Sequence, residues 1–532
     1  MTAFCSPRQG VALLALPVLF VVVLFVMGAN SQPFWQVFNL DPDYYYLLNG
    51  LRLVESLPPT DISHPGTPVQ VLIAAVIRLM HVGEPTGAVV DAVLGDPERH
   101  LAVVTWVMYP LIGLALVGLG YAFQRATGRL EAGLLAQSAP FLSMIIPKFG
   151  LHPKPEGFLV IAVPLLVIAA LAVAKADRPS DRHVGWLGLA IGFAIACKLH
   201  ALALGLVPVF LLDRRRLFLV LPLATIAGFL ISVSPVLPSY DIFFDWWGKV
   251  LSHRGAYGTG EAGVVDVGHY PRAIKGLFGS KLLFTVVLAA SLLALAGYAR
   301  LRRRGLVPAD PLARLLAGMV LAQLATVLIV AKQSAAHYMV PAVLLTGPEL
   351  AILFHLSTKV FPAAAHRRVW AVLAVVLVGV TVPAVWKQNA ELARWTRDAQ
   401  AFDMGRFAAC AKVDYDSSSS LTYAFLRGDM NALGRYSPKL ALISPKDRYT
   451  WFINDHSYWS HGFRQWDRSL EIGAVLAGYP CAVFRGNQPY RLLPTLWAAI
   501  PGYRPDDRCE VGEETVFTKG VMCDGGPVPL AK

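Results

Sequence analysis

The sequence predicts an α-helical polytopic membrane protein of about eleven spans, followed by a small α/β domain on the extracytoplasmic side. Three observations carry this. Apolar residues make up 55% of the 532-residue chain, only 15% are charged, and mean hydropathy is +0.52. A soluble chain of that length could not cover itself with so little polar surface, so the solvent is a bilayer. Apolar runs long enough for about 30 Å of hydrocarbon then recur along the first 386 residues, and the pattern stops at residue 387.

The runs fall near residues 10–29, 100–123, 131–147, 156–175, 217–236, 280–299, 311–331, 338–356 and 368–386. The stretch 184–212 is too long for one span and carries Lys198 and His200 at its centre. Two short helices meeting at an aqueous boundary would keep those heads out of lipid and bring the count to eleven. The first run is read as an anchor, because no small-residue cleavage site follows it. Residues 66–82 are marginal as a span, and the placement of Lys and Arg decides their fate. With this segment lying along the interface, Arg125, Arg129, Arg214, Arg300 and Arg368 share one side with Arg8, the cytoplasmic side.

Charge excludes a nucleic-acid role. Residues 387–532 hold 18 Lys and Arg against 16 Asp and Glu, leaving 29 against 19 for the remainder. The excess follows the membrane part and reads as a topology signal. Residues 387–532 alternate short apolar stretches with Gly, Pro, Asn and Asp turns, the mark of a mixed α/β domain. Cys410, Cys481, Cys509 and Cys523 lie in it with no C-x-x-C pair and no His at zinc spacing, which predicts two disulfides in an oxidising compartment, the connectivity left open.

On this topology the unusual polar groups gather on the outer face. Asp41-Pro42-Asp43 follows the first span, and carboxylates there can accept a proton or ligate a divalent cation, magnesium or manganese. Helix capping is the plainer reading: Asp41 as N-cap, Pro42 at the first helical position, and Asp43 in a first turn whose dipole favours its charge. His64 sits in a Pro-rich loop with Asp61, where a local hydrogen bond would explain it. Lys148, His152, Lys154 and Glu156 crowd a short turn between spans, as snorkelling lysines or as a phosphate site with an acid beside it. Lys198 and His200 interrupt their apolar run, and Lys332, His337 and Tyr338 form another polar turn. A long Gly-containing loop adds Arg254 and Tyr257.

These segments resemble the GT-C superfamily of membrane glycosyltransferases, which take sugars from polyprenyl-phosphate donors. The branch with protein O-mannosyltransferases and the lipid A aminoarabinose transferase is the most similar. The resemblance rests on Asp41-Pro42-Asp43-Tyr44-Tyr45, on His64-Pro65-Gly66-Thr67-Pro68, on the small-residue helix ending Ala196-Cys197-Lys198, and on His337-Tyr338-Met339-Val340-Pro341. It covers roughly residues 8–386.

It implies a membrane-embedded catalytic part over residues 1–386, with first outer loop 30–99; the disulfide-bearing outer domain over 387–532 is read from the topology and the cysteines alone. It also implies that Asp41 or Asp43 is the catalytic base or a metal ligand. Pro42 and Asp43 stand where the family has Glu directly after Asp. With a phosphate as leaving group, the chemistry needs positive charge on oxygen more than a general acid. Lys198, His200, Lys154 and Arg254 are the expected phosphate ligands, supported by His64, His152, Glu156, Lys332, His337 and Tyr338. The expected activity is inverting transfer of a sugar to a hydroxyl of an envelope lipid, glycan or protein, in a bacterial inner membrane with the site facing the periplasm, an endoplasmic reticulum membrane facing the lumen being the alternative. A transporter or flippase of a lipid-linked or anionic solute would also want these charges, and a non-catalytic assembly protein would use the acids only as caps. Transport calls for polar groups at mid-membrane and on both faces.

Overall fold

Apolar length and proline placement decide where the helices run. The structure, a computed structural model, describes residues 7–36, 41–63, 65–453 and 462–529. It is a helical membrane bundle ending in a small α/β domain, and among the described residues eight helical segments are long and apolar enough to cross a membrane.

Helix α1 (Pro7–Asn30) is the first of these. Three short helices follow: α2 (Tyr44–Val54), α3 (Thr67–Met80) and α4 (Thr86–Gly95). None could cross about 30 Å at 1.5 Å per residue. Helix α5 (Pro97–Thr127) starts at an N-cap, Asp96, whose side chain accepts from the Arg99 N–H. Its Glu98 holds α2, accepting from the Tyr44 hydroxyl at 2.8 Å and the Phe34 N–H at 2.6 Å. The expected Asp41 cap is not what starts α2. The helix begins two residues later than predicted, with Asp43 at the N-cap position and no side-chain capping bond.

Two stretches depart from the expected spans. Residues 131–147 form no single helix but α6 (Leu130–Gln137), a 3-10 turn through Pro140, and α7 (Ile145–Gly150). Pro140 and Pro147 lack the N–H groups that an uninterrupted helix would use. Beyond α8 (Pro155–Lys175), the 184–212 stretch gives α9 (Asp181–Cys197), an extended Lys198, and a 3-10 segment, Leu199–Leu206, instead of a second α-helix. Lys198 and His200 do not sit at an open aqueous boundary. They are 3% and 8% exposed, covered by protein.

The bundle continues through α10 (Arg215–Val233), α11 (Tyr240–Ser252) and α12 (Tyr270–Gly279), then α13 (Leu282–Arg303) and α14 (Pro311–Val330). Helices α15 (Val340–Leu344) and α16 (Thr346–Ser357) complete its buried core. Helix α17 (Ala363–Ala401) is a continuous 39-residue rod that leads into the last domain. Its Thr396 hydroxyl donates to the Asn30 carbonyl at 2.6 Å, and Asn389 accepts from the Asn30 amide at 2.8 Å, tying it to the end of α1.

Helices α9 and α10 meet through small residues. A Cβ on Gly192 would lie 2.2 Å from the Thr225 carbonyl oxygen and 2.4 Å from the Phe229 nitrogen, and Gly188 and Gly228 are as tightly met. Such close backbone approach is how helices gain packing where lipid removes the hydrophobic incentive to associate.

The C-terminal domain is a seven-stranded mixed sheet in the order β4-β3-β2-β1-β5-β7-β6. Strands β1 (Ala411–Tyr415), β2 (Arg448–Phe452) and β5 (Ala482–Gly486) are parallel; β3 (Gly462–Gln465), β4 (Arg468–Ser469), β6 (Asp507–Val511) and β7 (Glu514–Lys519) pair antiparallel. Central strand β1 is buried throughout, as a strand covered on both faces should be. Helix α18 (Leu421–Met430) follows β1 and packs on α2, with the Gly428 Cβ position 2.7 Å from the Tyr44 carbonyl oxygen. The smaller helices are α19 (Ser437–Ile443), α20 (Ile472–Ala477) and α21 (Pro489–Ala499). The four cysteines pair as Cys410–Cys481, which joins the starts of neighbouring strands β1 and β5, and Cys509–Cys523, which closes the β6–β7 hairpin.

Two outcomes are expected. A thiol reagent added to denatured, unreduced protein labels at most two of the six cysteines, and all six after reduction; reduction destabilises the sheet domain by about 2–4 kcal/mol. Gly192→Leu forces α9 from α10 and costs about 1–3 kcal/mol by overpacking, read as a lower thermal midpoint in detergent, whereas Gly185→Leu, with open space at its Cβ, does not.

Candidate functional site

Four chain segments far apart in sequence deliver charged side chains to one place. The first is the start of α2. Asp43 is 2% exposed, and its Oδ2 lies 2.8 Å from Nδ1 of His152, itself 3% exposed. Residues 151–154, between α7 and α8, are all buried, so His152 is held rather than dangling in a loop. The Lys154 ammonium donates to the backbone carbonyl of Asp41. Asp41 and Asp43 are thus engaged through different atoms: one by its peptide oxygen, the other by its carboxylate.

The second contribution is Glu156, in the first turn of α8 just after Pro155. An acid there meets the positive end of the helix dipole. Its carboxylate pairs with Lys198, and both side chains are about 95% buried. Lys198 can reach it because α9 stops at Cys197 and the chain turns extended at residue 198. The break in α9 that apolar length alone could not explain is therefore the means of delivering a cation.

The third and fourth segments form the wall. The His200 ring stacks on Tyr338 at 4.2 Å with planes 12° apart, and the Lys198 ammonium stands 4.9 Å from the same Tyr338 ring. His337 Nε2 is 3.9 Å from Glu156 Oε1, with its ring against Phe149 at 5.1 Å. From the long loop, the Tyr257 hydroxyl meets the Tyr338 hydroxyl at 3.1 Å.

Of the residues expected from the sequence, Asp41, Asp43, His152, Lys154, Glu156, Lys198, His200, His337 and Tyr338 are brought together. Arg254 lies on an exposed hairpin, paired with Glu261 at 3.5 Å. Lys332 belongs to the turn leading to His337, its amino group buried and without a hydrogen-bond partner among the described residues. His64 lies outside the described residues. A divalent cation finds no prepared ligand set: among the described residues no group of three or more His, Cys, Asp or Glu is arranged to hold one, and Asp43 is committed to His152.

Three participants had no individual signal strong enough to mark them. Asp61 is 7% exposed. Burial first, and then the neighbouring Asp41 charge, push its carboxyl up to about 7, with Lys198 and Arg427 acting in the opposite direction. Arg427 comes from α18, fully buried, its guanidinium 3.9 Å from the Phe452 ring and 5.3 Å from the Tyr45 ring. Burial opposes its charge, but Tyr45, Tyr423, Asp41 and Asp416 outweigh that and raise its pKa. Tyr46, beside Gly66 of the Pro-rich loop, is held well above its ordinary value by burial and then by Asp61 and Glu156. Asp61 stood in plain view in the Pro-rich loop, whereas nothing local distinguishes Arg427 from any other helix arginine.

The cluster therefore offers acids and cations within one protein-enclosed, low-dielectric space, where charge acts more strongly than in water. No protein-family model matches this chain, and no curated protein matches it. Among solved structures, the chain is similar to the crystal structure of ArnT from Cupriavidus metallidurans bound to undecaprenyl phosphate, at 14% identity and a TM-score of 0.44, covering 94% of this chain and 97% of that chain.

Proposed function

We propose that the chain is an inverting glycosyltransferase that moves a sugar from a polyprenyl-phosphate donor to a hydroxyl of an envelope lipid, glycan or protein, at the extracytoplasmic face. The observation that carries the reading is the convergence of Asp41, Asp43 and Glu156 with Lys154, Lys198 and His200 in one buried cluster under a disulfide-bearing domain.

Asp41 is the base. Its carboxylate takes the proton of the acceptor hydroxyl as that oxygen attacks the anomeric carbon; the bond from that carbon to the phosphate oxygen breaks, and polyprenyl phosphate leaves with the electron pair. In-line attack inverts the anomeric centre. We assign Asp43 the orientation of His152, whose Nδ1 lies 2.8 Å from its carboxylate. Lys198 and Lys154 meet the charge that develops on the phosphate, with His200 fixed against Tyr338 to complete the pocket wall. The Lys198–Glu156 pair keeps the cation from being buried alone before donor arrives, a state that would be strongly unfavourable. The two disulfides and the Lys and Arg placement support an oxidising compartment for the site: the periplasm of a bacterial inner membrane, with the lumen of the endoplasmic reticulum as the alternative.

Purified protein offered labelled polyprenyl-phosphate sugars, undecaprenyl phosphate being the first carrier to try, with a membrane-glycan acceptor pool, should release polyprenyl phosphate. Asp41→Asn should lower kcat by about 10²–10⁴, the usual loss of a general base. Asp43→Asn should cost less, through a displaced His152. Normal transfer by the double variant would sink the assignment.

The Asp61 carboxyl predicts a pH effect on donor binding. With a pKa raised to about 7, it is neutral below that pH and adds a negative charge beside Lys198 above it. Donor KM should therefore rise about tenfold between about pH 6 and 8, the effect of roughly 1.4 kcal/mol of repulsion. Asp61→Asn, whatever its residual rate, should flatten that rise; an unchanged profile would refute the assignment of the titration to Asp61.

A further inference from the structure

The described chain between α2 and Asp61 has no regular structure to hold it, yet Asp61 is buried and its Oδ2 has no hydrogen-bond partner among the described residues. Burying a carboxyl group without donors is costly, so something outside the loop must keep it there. One side chain does most of this. Asn49, in the middle of α2 and fully buried, accepts at its Oδ1 from the backbone N–H groups of Thr60 at 2.8 Å and Asp61 at 3.1 Å. Its Nδ2 donates to the Tyr45 carbonyl at 2.8 Å and to the Asn431 carbonyl of the C-terminal domain at 3.2 Å. An amide has two donors and two acceptor positions, and here all four are used.

The same joint is reinforced on both sides. The Thr60 hydroxyl donates to the Asn431 carbonyl at 2.5 Å, and Arg52 donates to Pro58 and Ala432 carbonyls, each at 2.9 Å. Asn431 and Ala432 end α18, where helix carbonyls lack partners of their own. Side chains of α2 and its following loop supply those partners. In the other direction, Ile62 packs with Ala196 and Leu199, the neighbours of Lys198, and the Gly66 Cβ position lies 3.3 Å from Pro155, beside Lys154 and Glu156.

We propose that Asp61 is a fourth carboxyl group of the reacting centre, placed there by Asn49, which hangs the Asp61 backbone from both α2 and the end of α18. The C-terminal domain is then part of the transfer machinery. The unpaired Oδ2 is the atom that a hydroxyl of bound sugar or acceptor would satisfy. Asn49 is a positioning residue, acting only through Asp61. This rests on reading the cluster as a transfer site.

The test uses full-length protein and labelled polyprenyl-phosphate sugar at about pH 6. Asn49→Asp keeps the shape but sets a carboxylate oxygen against the Tyr45 and Asn431 carbonyls. It should lower kcat at least about tenfold with donor KM within about twofold, and Asp61→Asn should do the same. The double variant should be no worse than the poorer single one, because both remove one coupled interaction. Fully multiplicative losses, or normal kcat in Asn49→Asp, overturn the proposal. Should Asn49→Asp fail to fold, Thr60→Val, which removes the hydroxyl that bonds the Asn431 carbonyl at 2.5 Å and lies 3.5 Å from Asn49 Oδ1, should show a smaller kcat loss that vanishes in the Asp61→Asn background; persistence of the loss there overturns it too. Hydrogen exchange provides a readout free of activity. In Asn49→Asp, amides of residues 60–63 and 428–434 should exchange faster together while those of α5 do not change. If the wild type turns over no donor, the transfer reading fails and exchange alone decides the joint: unchanged exchange at both stretches refutes it.

Discussion

A lysine and a glutamate buried together, Lys198 and Glu156, set the conditions that the surrounding structure must meet. Two charges removed from water are tolerable only when each compensates the other, and loss of one partner leaves the other in a space that cannot solvate it. Both must therefore be delivered to the same point by segments fixed independently. Glu156 arrives at the start of α8, fixed by Pro155 and favoured by the helix dipole. Lys198 arrives because α9 ends where it does and the chain changes from α-helix to 3-10 geometry. The close fit of α9 on α10 through Gly188 and Gly192 holds the segment before the break, and the stacked pair His200 and Tyr338 holds the segment after it.

Much of this was legible in the sequence, for definable reasons. Spans of simple length follow from transfer energetics, so α1, α5, α8, α13 and α14 lie where apolar runs end in caps, prolines or Arg clusters. The region around 131–147 satisfied the same composition test but not the hydrogen-bond requirement: Pro140 and Pro147 sit where an unbroken helix would need donors. Asp41-Pro42 looked like a helix start by local rules, yet α2 starts later, with Asp43 turned to His152 and Lys154 on the Asp41 carbonyl. Local propensity lost to a tertiary contact that nothing in the local string describes.

The site divides along the same line. Charges in turns between apolar runs are conspicuous because a membrane protein has few others, which is why Lys154, Glu156, Lys198 and His337 could be named without coordinates. Arg427 and Asn49 were invisible for the opposite reason. Each is an ordinary polar residue on an amphipathic helix, and its meaning comes only from the partner that the fold lays against it: rings of Tyr45 and Phe452 for one, the end of α18 for the other. Arg254 shows the converse. It was conspicuous in a loop, but a neighbouring Glu261 is enough to account for it.

Helix α17 has a geometric consequence for the chain that follows it. At 39 residues and about 1.5 Å per residue it is roughly 58 Å long, nearly twice the hydrocarbon thickness, and a 3-10 turn, Met404–Phe407, separates it from β1, the first strand of the C-terminal sheet. A continuous helix transmits both height and heading: each added residue would move the point where the chain leaves the helix by about 1.5 Å along its axis and about 100° around it. The rod acts as a ruler and a compass for the point at which the chain enters the C-terminal domain.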